Sequence, residues 1–347
     1  MRLLIGIFIL LSLVYNAKTI AEIYRWTDSR GHVHYSDTPP PKIMPEAGSS
    51  VAQRERAAKI QKEFQASRGQ AVLRKVEGGE FVQYRAKSFK VGGPILVLAH
   101  GQLDERLPES QSVANIVSKW LPFAEQHGML LVAPVFFDAN FGVKTDGPHQ
   151  FGYRGLFGRY VNADQFVLQI LAYYQENIRG FEKQFYMVGL EGGAQFVNRF
   201  VIVHPEKVNG AVLVKPDWFA FPYEDVQWPN GMAARYRMAA WPGKKEKNIV
   251  KVELDVNAWL AASHVNTAVI VGADDKDTLA AHAEIAEHTW AKNANSVSNA
   301  QRWVSEMRQL TQEHGASSAI QLYRVNGIGA DVSALQPKAE EALSSFL

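Results

Sequence analysis

The chain contains no cysteine. Disulfides, thiolate metal sites, a cysteine nucleophile and lipid attachment through cysteine are therefore excluded. It also lacks an excess of either charge. Thirty-seven Lys and Arg face 35 Asp and Glu, a formal net charge of +2, so no electrostatic footprint for nucleic acid or an anionic membrane is present. No Gly-rich loop is followed by Lys-Ser/Thr, and no dinucleotide fingerprint follows the first buried strand run, so no cofactor is expected. The apolar run Leu3–Val14 falls short of the roughly 20 residues that cross a bilayer. What is plentiful is core material: 47% hydrophobic and 11% aromatic residues exclude disorder as the general state.

Arg2, the apolar run and then Thr19-Ile20-Ala21 have the layout of a secretory signal over residues 1–21. This predicts a periplasmic or secreted protein, touching a membrane only through that segment if it is uncleaved. Residues 22–41 read as a β-hairpin: aromatic and β-branched residues flank a turn rich in Asp, Ser and Gly, and Pro39-Pro40-Pro41 stops the ladder. The string from Tyr24 to Pro39 follows Y-x-W-x-D-x-x-G-x-x-x-Y-S-D-x-P at every fixed position. In this it resembles a short module of unknown function near the N-termini of bacterial envelope proteins. His32 and His34 alternate on one strand face but have no third ligand in view, so they read as solvated and no metal site is expected. Residues 42–70 read as a polar helical linker whose charges form a solvated face.

From 71 to 347 the pattern is alternating strand and helix, which predicts an α/β fold: a mostly parallel sheet with helices on both faces. Pro94–Ala99, Met129–Val135 and Val208–Val214 are apolar runs of the kind buried on both faces. Ser110–His127, Ala163–Ile178, Gly193–His204 and Asp331–Phe346 have helical spacing. An antiparallel pair around Gly78-Gly79 opens the sheet. Two stretches break the alternation: the Gly- and aromatic-rich 136–161, and 215–263, read as a cap insertion. Trp218, Phe221, Tyr223 and Trp228 in the second are either packing or the lining of a ligand pocket over the strand ends.

The decisive stretch is Tyr186-Met187-Val188-Gly189-Leu190-Glu191-Gly192-Gly193-Ala194-Gln195-Phe196. A strand enters a Gly-x-Glu-x-Gly turn and leaves directly as a helix, the shape of a nucleophile elbow with glutamate in place of serine. His100-Gly101 closes an earlier strand, Gly272-Ala273-Asp274-Asp275 a later one, and Gly327-Ile328-Gly329-Ala330-Asp331 follows the last. Residues from about 80 onward are similar to secreted α/β hydrolases of the polyhydroxybutyrate-depolymerase-like esterase group. There the elbow reads G-H-S-G-G-G-Q-F-V-x-R-F and the tail G-x-G-H-D; Gly192, Gly193, Gln195, Phe196, Val197, Arg199, Phe200, Gly327, Gly329 and Asp331 fit.

The resemblance implies Glu191 at the nucleophile position, Asp275 at the acid position, Ala330 where histidine belongs, and an oxyanion-hole region of Gly101, Gln102 and Gly192. Alanine transfers no proton, so the conventional relay is absent whatever stands at 191. The primary expectation is a non-catalytic hydrolase homologue that binds an unknown small molecule or envelope protein, its Glu191 carboxylate curled into the former oxyanion hole. The alternatives are an esterase-type hydrolase using Glu191 with a histidine from elsewhere (His100, His149 or His204), and a structural tether. Asp274, Asp275 and Asp277 cluster at a strand end without the spacing of a calcium loop and read as a leftover acid turn.

Overall fold

The computed structural model describes residues 24–27, 33–36, 51–142, 147–158, 161–232, 254–279 and 288–347, of which 24–27, 33–36, 147–150 and 290 by backbone alone. The chain divides into two compact units, Met1–Arg56 and Ala57–Leu347. In the first, β1 (Tyr24–Thr27) and β2 (Val33–Ser36) pair antiparallel, Tyr24 opposite Ser36 and Thr27 opposite Val33. The expected leader at 1–21 and the turn carrying His32 lie outside the described residues, as does the side chain of His34.

Helix α1 (Val51–Ala66) stands where the linker was expected, with Arg54, Arg56, Lys59 and Lys62 exposed. Its later turns are no linker, because Ile60 and Phe64 are buried in the large unit. The Phe64 ring meets Tyr174 at 5.6 Å and Phe89 at 6.1 Å, and the Arg85 guanidinium lies 4.6 Å over its face. A fully buried Phe contributes about 1.5–3 kcal/mol of transfer free energy, enough to bind this turn to the sheet. The large unit therefore begins inside α1, not at residue 71.

Among the described residues its strands are β3 (Ala71–Val76), β4 (Gly79–Arg85), β5 (Ile95–Ala99), β6 (Leu130–Pro134), β7 (Phe185–Leu190), β8 (Val208–Val214), β9 (Asn266–Gly272) and β10 (Ile320–Val325). Their order is β10-β9-β8-β7-β5-β6-β4-β3; β5 to β10 are parallel, and β4 and β3 add antiparallel at one edge. Every residue of β5 and β6 is buried, which is why both are unbroken apolar runs.

The helices are α2 (Glu109–Ser118), α3 (Leu121–Gln126), α4 (Asp138–Phe141), α5 (Ala163–Gln175), α6 (Gly192–Val203), α7 (Val256–Ser263), α8 (Ser296–Glu313) and α9 (Val332–Ser344). The single helix expected over 110–127 is broken at Lys119-Trp120, since Pro122 in the first turn of α3 has no N–H to continue the ladder. Helix α8 buries Val297, Ala300, Val304 and Met307 on one face and starts from a reciprocal Asn295–Ser298 cap.

Strand β5 lies between β6 and β7, so the connection leaving β5 runs to β6 on one side while that leaving β7 runs to β8 on the other. In open α/β sheets the crevice at the carboxyl ends of such strands is where ligands bind. The residues that follow β5 and β7 are His100-Gly101-Gln102 and Glu191.

Candidate functional site

Glu191 makes the turn from β7 into α6. Its N–H donates to the Val214 carbonyl at 2.9 Å, and the N–H groups of Ala194 and Gln195 return to its own carbonyl at 3.0 and 3.1 Å, starting the helix at once. So tight a turn holds Glu191 at φ 49° and ψ −110°, a left-handed conformation that residues with a Cβ seldom adopt. The helix passes so near the sheet that a Cβ on Gly193 would stand 2.1 Å from the Ala99 carbonyl oxygen. From Gly193 to Ile202 every residue of α6 is buried.

The Glu191 side chain folds back toward β5, where the Gln102 N–H donates to its Oε2 at 3.0 Å. A Cβ on Gly101 would stand 2.4 Å from the same oxygen, so the carboxylate fills room that only glycine leaves. Gly101 and Gln102 thus meet the Glu191 carboxylate, and Gly192 follows it at the start of α6. Over it lies the 3-10 segment Gly147–Gly155: a Cβ on Gly192 would meet the Tyr153 hydroxyl at 2.7 Å and Arg154 Cδ at 3.2 Å. Tyr153 stacks on Phe136 with centroids 4.6 Å apart, and its hydroxyl donates to the His100 carbonyl at 3.2 Å. Burial pushes the Tyr153 phenol up to about 12; the Arg154 charge opposes this and the Glu191 charge adds to it.

His100 is adjacent but committed. The Phe136 N–H donates to Nε2 at 3.1 Å, which leaves the proton on Nδ1, and Nδ1 donates to the Gly101 carbonyl at 2.9 Å. Burial pulls its pKa down to about 4, with the Gly101 carbonyl opposing. A neutral ring with both nitrogens engaged has no lone pair left for a substrate proton. His204 sits at the far end of α6, paired with Asp164 at 2.9 Å. The side chain of His149 lies outside the described residues.

Asp275 follows β9 and is buried; its carboxylate accepts the Asp277 N–H and the Ser296 hydroxyl, both at 3.1 Å. Ser296 also stands 3.1 Å from Asp217 Oδ1, so one hydroxyl proton serves two carboxylates. Sequence reasoning missed the cation that joins this cluster to the elbow. Lys215 follows Val214, the cross-strand partner of Leu190, so Lys215 and Glu191 leave neighbouring strands side by side, at φ 50° and 49°. The Lys215 ammonium lies 3.2 Å from Asp217 Oδ1. Burial pulls its pKa down, but the charge and hydrogen bond of Asp217, then the charges of Asp275 and Glu191, outweigh that and leave it raised. The signal was a lysine directly after a buried parallel strand with an aspartate two residues on.

At the last strand, Asp274 N–H donates to the Ile328 carbonyl at 3.0 Å, so the tail loop lies against the acid turn. Ala330 in that loop is exposed, and Asp331 caps α9 by accepting the Ser333 N–H at 2.9 Å. Of the expected ligand-binding rings, Trp218, Phe221 and Trp228 are buried, and Tyr223 is half-buried with its hydroxyl donating to Glu306 at 2.9 Å. Phe221 stacks on Tyr223, and the Trp228 indole N–H donates to the Gly155 carbonyl at 3.0 Å. Phe221 and Trp228 join the main core, whereas Trp218 packs in a separate small cluster with Val226, Ala291 and Ala294; residues 233–253 of the expected cap lie outside the described residues. Among the described residues no three His, Asp or Glu are grouped to hold a metal ion, and no helix is long and apolar enough to cross a membrane.

Residues 10–75 match a domain of unknown function, DUF4124. No curated protein matches the chain in sequence. Among solved structures, the poly(3-hydroxybutyrate) depolymerase LpqC from Bordetella parapertussis is similar, with a TM-score of 0.63 and 19% identity over 84% of this chain and 94% of that one. Poly(aspartic acid) hydrolase-1 from Sphingomonas sp. KT-1 follows at 0.58 and 16% identity, over 78% of this chain and 96% of that one. At such identities the likeness shows the fold: the large unit is an α/β-hydrolase-like scaffold.

Proposed function

We propose that this chain is a catalytically inactive α/β-hydrolase homologue of the bacterial envelope, acting by binding a small molecule or an envelope protein. The reading is carried by one observation, the Glu191 carboxylate accepting the Gln102 N–H at 3.0 Å. In an acyl-transfer site that donor would face the developing oxyanion, and it must be free to do so. Here it holds a resident anion, tethered one residue from the helix start. Exposed Ala330 at the histidine position supplies no base, and His100, the histidine nearest in sequence to the converging loop, is neutral and fully hydrogen-bonded. The envelope location is supported by the leader-like layout of residues 1–21 and by the hairpin module.

Purified protein should turn over 4-nitrophenyl acetate and butyrate no faster than buffer. Turnover that Glu191→Gln abolishes would overturn the reading in favour of a rearranged esterase. The double variant Glu191→Ser with Ala330→His empties the hole and restores a base; it should hydrolyse these esters at least about tenfold faster than either single variant. A well-folded double variant with no activity would show that the substrate cleft has been lost as well.

A further inference from the structure

We propose that Arg154 forms, beside the elbow, a binding site for a carboxylate-bearing small molecule. The proposal rests on the binding reading above and names the ligand class. Arg154 is placed beside the elbow: its Cδ and Cγ would stand 3.2 and 3.4 Å from a Cβ on Gly192, and the preceding Tyr153 is clamped by its stack on Phe136 and its bond to the His100 carbonyl. Yet the guanidinium is underused. Among the described residues its hydrogen bond is a long one, Nε to the Phe151 carbonyl at 3.4 Å, and no carboxylate lies within ion-pair distance. Four further N–H donors on a half-buried planar fork remain for a ligand, in the geometry that matches a carboxylate bidentately.

The surrounding charge favours the same occupant. Arg199 lies near enough to Arg154 for their charges to interact, and it is buried with neutral acceptors: the carbonyls of Pro229 at 2.8 Å and Gln195 at 2.9 Å, and Asn230 Oδ1 at 3.2 Å. Burial, then the charge of Arg154, pulls Arg199 down to about 9. Two neighbouring guanidinium groups thus share no carboxylate of their own among the described residues. The acid nearest the elbow, Glu191, is spent on Gln102. A ligand carboxylate would relieve the repulsion between the arginines, whereas a neutral amide of the same shape would not.

Titration calorimetry at fixed ionic strength tests this, with sodium acetate and disodium succinate against acetamide and succinamide. The carboxylates should bind through the millimolar range and the amides should not. Arg154→Gln should weaken carboxylate binding at least roughly tenfold, the effect of losing a charge-assisted pair. Glu191→Gln removes a nearby negative charge and should tighten it several-fold, a gain that Arg154→Gln cancels in the double variant. Amides binding as well as carboxylates, unchanged binding in Arg154→Gln, or no carboxylate heat with either native or Glu191→Gln protein would each overturn the proposal. Should Arg154→Gln fail to fold, Arg154→Lys decides: it keeps the charge but loses the fork, and unaltered binding there counts against the site. Failure of the inactive reading shows instead as ester turnover, a separate readout.

Discussion

The elbow after β7 and the tail loop after β10 both follow strands of one sheet, and they differ in how tightly the fold grips them. At the elbow, Glu191 is strained to φ 49°, Gly193 faces the Ala99 carbonyl at a distance no Cβ tolerates, and the Glu191 side chain is itself hydrogen-bonded. In the tail, Ala330 is exposed, and a Cβ on Gly329 would meet only the Asp274 carbonyl at 3.8 Å. The elbow geometry is thus demanded by the packing of α6 against β5 and β7, with or without chemistry. Residue 330 is exposed and carries no such burial constraint. Glycines at the elbow are thus required by close packing alone, which is why glycine spacing by itself is poor evidence of activity.

The largest effects should fall on the elbow side. Gly193→Ala drives a methyl into backbone atoms of Ala99 and His100, and that obstacle cannot swing aside as a side chain can. Alanine gains about 1 kcal/mol of helix propensity, but overpacking against backbone costs about 3 kcal/mol or more, so the net is strongly destabilising. Gly329→Ala should stay within about 0.5 kcal/mol of native. Urea unfolding of both variants breaks the comparison if their midpoints shift equally.

The next effect depends on pH and sits on the strand beside the elbow. His100 has its pKa lowered from 6.5 to about 4 by burial, so the folded state binds its proton less readily than the unfolded chain. Its contribution is full above about pH 6.5 and is lost as pH falls toward 4, about 3 kcal/mol across that window. Unfolding free energies measured from pH 7 to 4 should show this slope, and His100→Gln, which keeps one donor and one acceptor, should flatten it. An unchanged slope in the variant would mean that the ring is not held neutral.

Much of the scaffold was legible because its signals are local. Residues 95–99 and 130–134 are apolar at every position, as strands buried on both faces must be, and the turn at Gly189–Gly193 announces itself by composition. What escaped the reading depends on neighbours far along the chain. Lys215 gains its place from the order β7-β8-β9, which sets it between Glu191 and Asp275. Tyr153 and Arg154 come from a stretch without periodicity and reach Gly192 only because the segment Gly147–Gly155 folds over the elbow. The polar composition of α1 concealed Ile60 and Phe64, two apolar residues four apart on one face, sufficient to dock a helix that reads as solvated.

The smallest effects sharpen the contrast within the tail itself. Gly327 sits at φ 77° with open space where a Cβ would go, so Gly327→Ala pays only the left-handed backbone cost, about 1 kcal/mol, with no steric term. Ala330 is exposed and bears no special backbone angle, so Ala330→His alone should change stability by less than about 0.5 kcal/mol. On the inactive reading proposed above it should also leave ester turnover at background, because a base without a nucleophile has nothing to activate. Thermal melts of the two variants, read beside the ester assay, separate what the loop needs from what it carries. A loss of about 2 kcal/mol or more in Ala330→His, on the order of a core defect, would mean that residue 330 is packed as firmly as the elbow, and the distinction between packed joint and exposed loop would fail.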